Sequence, residues 1–357
     1  MTPPPARPAP PTTTPGAPIA ATALRPLRRR RALGLAVVLA GLVVTVAASL
    51  ALGSNPLSPA EVWRVLRADD GSEAALIVWS LRVPRTVLGI LTGAAFGVAG
   101  ALIQAITRNP LADPGILGVN AGAGFAVTVG VAAFGISGAG GYVWFAFVGA
   151  AAATLLVHVI GSAGRGLASP VTLVLAGVAL GAVLGGFSTF LTLIDPDTFR
   201  SLRAWGVGSI AGATHAETLS VAPFLAVGLL LAVAISGPLN SVALGDDLAA
   251  SLGTHVVRTR ALGIVAVTLL AGGATALTGG IAFVGLMVPH VVRWFTGPDQ
   301  RWIVAYSALA APVLVLAADV TGRVVGRPGE VQVGIVTAVL GAPVLIALVR
   351  RRKVSGL

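Results

Sequence analysis

Uninterrupted apolar runs separated by short polar breaks cover most of the chain, at 33–53, 84–107, 116–135, 143–163, 170–194, 218–237, 260–278, 280–296, 302–322 and 332–349. A helix rises 1.5 Å per residue, so a run of about 20 residues crosses the roughly 30 Å hydrocarbon core of a bilayer. About ten transmembrane helices are expected, in an all-α polytopic membrane protein. The runs are continuous and do not alternate with period two, which excludes an outer-membrane barrel.

The stretch from Leu81 to Gly124 shows how one span is punctuated. No charge lies between Arg85 and Arg108, and the glycines at 89, 93, 97 and 100 fall three or four apart, on one helical face. Small residues so spaced let a neighbouring backbone approach closely in lipid. Then Arg108-Asn109-Pro110-Leu111-Ala112-Asp113-Pro114-Gly115 ends the helix and forces a tight connection at the inner surface. Residues 54–85 and Asp195 to Glu217 read as amphipathic segments on the outer surface, with Trp205 placed as an interfacial anchor.

The longest polar interruption on the inner side is Asn240 to Arg260. Asp246 or Asp247 is expected to cap a short helix, Leu248 and Leu252 share a face at i and i+4, and Gly253 is a natural stop. Two turns of helix are marginal alone in water, so packing on this chain or on a partner must hold them. Farther on, Gly272 to Val288, Pro289-His290, Arg293 and Gly297-Pro298-Asp299 repeat the grammar of Gly89 to Pro114 in the opposite direction, as inverted transporter repeats do.

Composition sharpens the membrane assignment. The chain is 55% hydrophobic and 10% charged with a mean hydropathy of +0.91, outside the range of soluble domains. Its net charge of +11 comes from arginines at span ends, with no basic soluble domain to hold nucleic acid. Arg25 and Arg28 to Arg31 at one end, and Arg350, Arg351, Arg352 and Lys353 at the other, place both termini in the cytoplasm. The internal loops lean the other way. Six arginines fall inside (108, 165, 258, 260, 293, 301) and eight outside (64, 67, 82, 85, 200, 203, 323, 327), so the outer ones need a reason. Residues 1–24 are Pro, Thr and Ala with a single charge; a disordered, Pro-rich, basic cytoplasmic tail is expected over 1–31, ahead of a membrane domain over 32–357.

Cysteine is absent, and the single lysine, Lys353, is followed by Val354, so there is no thiolate metal site and no GK[ST] phosphate loop. If ATP drives the protein, another subunit binds it. Histidines at 158, 215, 255 and 290 are too scattered for a ligand pair on one helix. His158 is expected to bond between helices, and His290 to bond carbonyls freed by Pro289. No catalytic constellation emerges. The rival from another class, an ion-coupled secondary transporter, needs an ionisable group near the membrane midplane. Only Asp319 lies within an apolar run, near its outer end.

Taken in order, RVPR at 82–85, GALIQAITRNPLADPGILGVNAGAG at 100–124, LAGVALGAV at 175–183, ALGDDLAASLG at 243–253, GGIAFVGLMVPHVVR at 279–293 and GIVTAVLGAPVLI at 334–346 resemble the iron-siderophore and vitamin B12 importer permease family. TRNPLADPGILGVNAGA and GAPVLIALVRRRK are most similar to the ferric-enterobactin type of subunit. The resemblance implies a permease of the cytoplasmic (inner) membrane that imports an iron-siderophore chelate, with a ferric catecholate as the expected cargo. It also implies a second permease subunit, a heterodimer being favoured, and an extracytoplasmic siderophore-binding protein. Two cytoplasmic ATPase subunits would carry ATP and magnesium, no cofactor being bound by this chain.

By the same resemblance, Arg82, Arg85 and Arg323 receive acidic side chains of the binding protein. Leu244, Gly245, Asp246, Asp247, Leu248, Ala249, Leu252 and Gly253 form the coupling helix that seats in the ATPase. The inner gate falls at Ser169, Pro170 and Val171, the start of the fifth span, where the family's hydroxyl residues can occur.

Overall fold

The computed structural model describes residues 19–162 and 170–351, and among them it is helical with no strand. In chain order the helices are α1 (Ile19–Ala51), α2 (Pro59–Arg67), α3 (Glu73–Thr107), α4 (Val119–Phe134), α5 (Gly138–Ser162), α6 (Pro170–Ile194) and α7 (Pro196–Gly206). They continue as α8 (His215–Val242), α9 (Asp246–Ser251), α10 (Val256–Thr278), α11 (Val284–Thr296), α12 (Gln300–Val325) and α13 (Val333–Arg351). Helices α1, α3, α5, α6, α8, α10 and α12 are long and apolar enough to cross a membrane; α4, α11 and α13 are shorter. These ten correspond one to one with the ten apolar runs.

The glycine face of α3 packs as its spacing foretells. A Cβ at Gly93 would lie 2.7 Å from Pro312 of α12, one at Gly97 2.6 Å from the Ser307 carbonyl, and one at Gly100 1.9 Å from the carbonyl of Gly285 in α11. Backbone therefore meets backbone at the centre of the bundle. Gly100→Ala should force α3 and α11 apart at a cost of about 1–3 kcal/mol. A fall in Tm of the purified subunit would show it; an unchanged Tm would mean that the contact yields freely.

Two of the short helices owe their length to breaks below the surface. Between α3 and α4, Arg108 adopts a left-handed conformation (φ 51°), and Pro114–Leu117 forms a single 3₁₀ turn capped by the Asp113 carboxylate, which accepts the Gly115 amide at 2.8 Å. This connection is tight, as expected, and partly inserted into the bundle. It is tucked against α5 and α6, where a Cβ at Gly177 would come within 1.8 Å of the Ile116 carbonyl. The run 280–296 likewise begins with non-helical backbone, Gly279 at φ 71° and Phe283 at φ 69°, before α11 starts.

Helix α1 extends back to Ile19, so residues 19–31 of the expected tail continue the first span as helix; residues 1–18 lie outside the described residues. Arg31 pins this end by donating to the Thr296 carbonyl at 3.1 and 2.9 Å and stacking 4.8 Å from the Trp302 ring.

Helix α2 starts with Pro59 behind a capping box. The Ser58 hydroxyl accepts the Glu61 amide at 3.2 Å, and the Glu61 carboxylate accepts the Ser58 amide at 2.8 Å. Bonds from the Ser58 side chain and backbone hold the Glu61 carboxyl below its usual value. The carboxylate half of the box therefore contributes at neutral pH and is lost at a lower pH than for an unpaired glutamate. Beneath α2, Val62, Val65, Ala75 and Val78 form a small separate core.

Candidate functional site

Two polar assemblies stand at opposite ends of the bundle, one beside α2 and one at α9. The first gathers Arg82 and Arg85 of α3, Asp319 and Arg323 of α12, and Glu330 from the loop before α13. Arg85 donates Nε and Nη2 to Asp319 Oδ1 at 3.0 and 2.6 Å and Nη1 to Glu330 at 2.8 Å. Arg323 Nη2 lies 2.8 Å from Asp319 Oδ2. Other donors of Arg82 and Arg323 turn to the end of α1, whose last carbonyls have no partner within the helix, while Arg323 Nε has no partner among the described residues. Arg82 donates to Leu50 O at 2.6 Å and to Asn55 O, and Arg323 donates to Ser49 O at 3.1 Å and Leu52 O at 2.8 Å.

The three arginines expected to meet a docking protein are thus brought together, but largely inward. Arg82 is 5% exposed and Arg323 2%, against 1% for Asp319. Arg85 is half-buried, and with Glu330 and His215 it lines a cavity of ≈850 Å³ of mixed polar and apolar walls that also touches Arg82 and Arg323. Sequence reasoning missed Glu330 and the α1 carbonyls as partners. Asp319 is no free carboxylate but the shared counter-ion of two guanidinium groups, which leaves a proton- or sodium-coupled mechanism without its central residue.

At the other end, α9 is bracketed by Gly245 (φ 112°) and Gly253 (φ 80°). Leu244, Leu248 and Leu252 are exposed, while Ala249 is buried against Val242 and Val256. The expected aspartate cap is absent: Gly245 is the N-cap, without a side-chain bond. Asp246 instead accepts both Nη atoms of Arg260 at 2.9 Å and lies 3.4 Å from Arg108. One carboxylate thereby clamps α9 both to α10 and to the tucked turn after α3. Asp247 is exposed at the first turn. The result is a short rigid element presenting three leucines outward.

Of the expected gate residues, Ser169 lies outside the described residues, Pro170 begins α6, and Val171 is exposed. Helix α6 carries further exposed apolar side chains, among them Leu175, Val178, Phe187 and Phe190. His158 and His290 find no hydrogen-bond partner for Nδ1 among the described residues. The carbonyl that Pro289 frees on Gly285 is approached instead by Gln104 Nε2 at 3.4 Å, with Leu286 O at 3.1 Å. No cluster of three or more His, Cys, Asp or Glu fit to hold a metal occurs among the described residues.

With this architecture in view, comparison with known proteins is decisive: the model of the FecCD transport family matches residues 41–351. The chain belongs to the FecCD transport family. It is 47% identical over 328 residues to the ferric enterobactin transport system permease protein FepD of Escherichia coli K12, covering 91% of this chain and 97% of that one. It is 39% identical over 305 residues to the Fe(3+)-citrate import system permease protein YfmD of Bacillus subtilis (85% and 90% covered). To the cobalamin import system permease protein BtuC of Halobacterium salinarum it is 35% identical over 289 residues (80% and 76% covered).

Among solved structures, an inward-facing conformation of a metal-chelate type ABC transporter superposes with a TM-score of 0.77 at 25% identity, covering 90% of this chain and 99% of that one. PsaBC from Streptococcus pneumoniae in complex with Fab shares the fold, with a TM-score of 0.53 at 17% identity over 79% and 93% of the two chains. As a FecCD-family member, this chain is a multi-pass membrane permease subunit of an ABC importer. It is not itself an enzyme; ATP hydrolysis belongs to a separate subunit, and a substrate-binding partner completes the system.

Proposed function

We propose that this permease moves a ferric siderophore of the catecholate type across the cytoplasmic membrane. The observation that carries the substrate assignment is the identity with the ferric enterobactin permease over nearly the full length of both chains. Helix α9 faces the cytoplasm with both termini, and its exposed leucines seat in one of two ATPase subunits, which hold ATP and magnesium; this chain binds no cofactor. The opposite face, with the arginine-lined cavity, receives the siderophore-binding protein. Arg85, with Arg82 and Arg323 behind it, is the group an incoming carboxylate would meet, in exchange for Glu330, which is 36% exposed on its side chain. A second permease covers the apolar face of α6, and a heterodimer is favoured. The gate lies where α6 begins, at Ser169, Pro170 and Val171.

The test is uptake into liposomes holding this chain with its partner permease, ATPase and binding protein. Ferric enterobactin should accumulate only with ATP, whether or not a pH gradient is present. Accumulation driven by a pH gradient without ATP would overturn the importer assignment, and ATP-driven uptake of ferric citrate or cobalamin in preference would overturn the cargo.

A further inference from the structure

The junction of α1 and α2 carries a groove that none of the transport roles uses. Its volume is ≈760 Å³, and its walls are apolar: Leu42, Val43 and Val46 from α1, and Val62, Trp63 and Leu66 from α2. Along α1 it runs from Leu42 to Leu52, which at 1.5 Å per residue is about 15 Å. That is one leaflet's share of a hydrocarbon core of roughly 30 Å.

The polar end of the groove is built differently. Trp63 is 58% exposed, and the Arg67 guanidinium lies 4.5 Å from its ring centroid. Arg67 makes no ion pair among the described residues, and the exposed Arg64, three residues earlier on α2, reaches only Asp70 at 3.7 Å. An interfacial tryptophan with a cation stacked on it, at the mouth of an apolar slot one leaflet deep, has the chemistry of a phospholipid: phosphate for the guanidinium, acyl chain for the slot.

We propose that the groove between α1 and α2 is a specific phospholipid site, with an acyl chain lying along Leu42, Val46 and Trp63 and the phosphate held by Arg67, assisted by Arg64. The lipid supplies packing that the protein lacks here. Helix α1 is largely uncovered along its membrane span, and α2 meets it through a small core that only Leu50 and Ala51, at the last turn of α1, join. Occupancy therefore secures α2 against α1 in the leaflet where α2 lies, whatever cargo the transporter carries.

Quenching of tryptophan fluorescence by phospholipid brominated on its acyl chains tests this, using the full chain with its partner subunits in detergent. The Trp63 contribution is obtained by difference against Trp63→Phe. Quenching should saturate near one lipid per chain, and Arg67→Gln should raise the half-saturating lipid concentration about tenfold. Ala47→Phe fills the slot from an exposed position on α1, where misfolding is not at issue, and should abolish the saturable phase. A brominated diacylglycerol, which has the chains but no phosphate, should bind as weakly as phospholipid binds the Arg67→Gln protein. Quenching that climbs with lipid without saturating, or is indifferent to both substitutions, would show ordinary boundary lipid and overturn the site. Native mass measurement showing a second copy joined through α1 and α2, with no Trp63 quenching, would overturn it equally.

Discussion

Asp319→Ala is expected to destabilise the folded subunit by about 3–5 kcal/mol, the usual result of removing one partner from a buried charge cluster. Asp319 is 1% exposed and stands between Arg85, at 2.6 Å, and Arg323, at 2.8 Å. Without it, two guanidinium groups face each other in a site that excludes most water, and their repulsion acts at low dielectric. Arg323 is also the residue that holds the Ser49 and Leu52 carbonyls, so displacing it frees the end of α1 as well. Asp319→Asn keeps an acceptor for Arg85 and should fall between wild type and Ala. Pairing it with Arg323→Gln removes a charge together with its partner and should recover part of the loss, the signature of coupled rather than independent sites. Thermal unfolding of the purified complex in detergent measures these three variants, and Arg323→Gln alone, against wild type. A Tm for Asp319→Ala within about two degrees of wild type would mean that the cluster is solvated and loosely held.

The number of spans was legible because a bilayer tolerates only long, apolar, internally bonded helices. How deep each turn sits was not. The prolines at 110 and 114 announce a connection, but its insertion against Gly177 depends on the absence of a side chain on a helix far along the chain. The break ahead of α11 depends on Phe283 adopting a left-handed conformation, which an apolar side chain gives no reason to expect.

Charge placement was legible in kind but not in role. Arg82, Arg85 and Arg323 stood out as cations on one face, and the Arg323–Asp319 pair is local at i, i+4, yet the contacts that tie the cluster together span most of the chain: Arg85 and Asp319 lie 234 positions apart, Arg323 and the Ser49 carbonyl 274. At α9 a local rule lost to a nonlocal one. Asp246 falls one residue inside the helix, past the cap at Gly245, and its carboxylate takes a bidentate guanidinium from α10, a stronger partner than one backbone amide.

That clamp sets up the other large effect. Replacing both Leu248 and Leu252 by Asp should reduce ATP-driven uptake by about 100-fold or more, as expected for losing two apolar anchors at the centre of a small interface. Both leucines are exposed in the subunit, so its Tm should hardly move. Asp246→Asn acts by another route. It leaves the α9 leucines in place but weakens the tie to Arg260 and Arg108, so that displacement of α9 is absorbed instead of passing to α10 and to the turn packed on α6. ATPase subunits should still bind and hydrolyse ATP, with more ATP consumed per chelate imported. The two variants therefore separate attachment from transmission: the leucine pair loses the ATPase from the purified complex, and the aspartate keeps it while the coupling ratio worsens. Full uptake in the leucine pair would remove α9 from the ATPase contact. An unchanged ratio in Asp246→Asn would confine that carboxylate to folding, with transmission passing through the helix backbone alone.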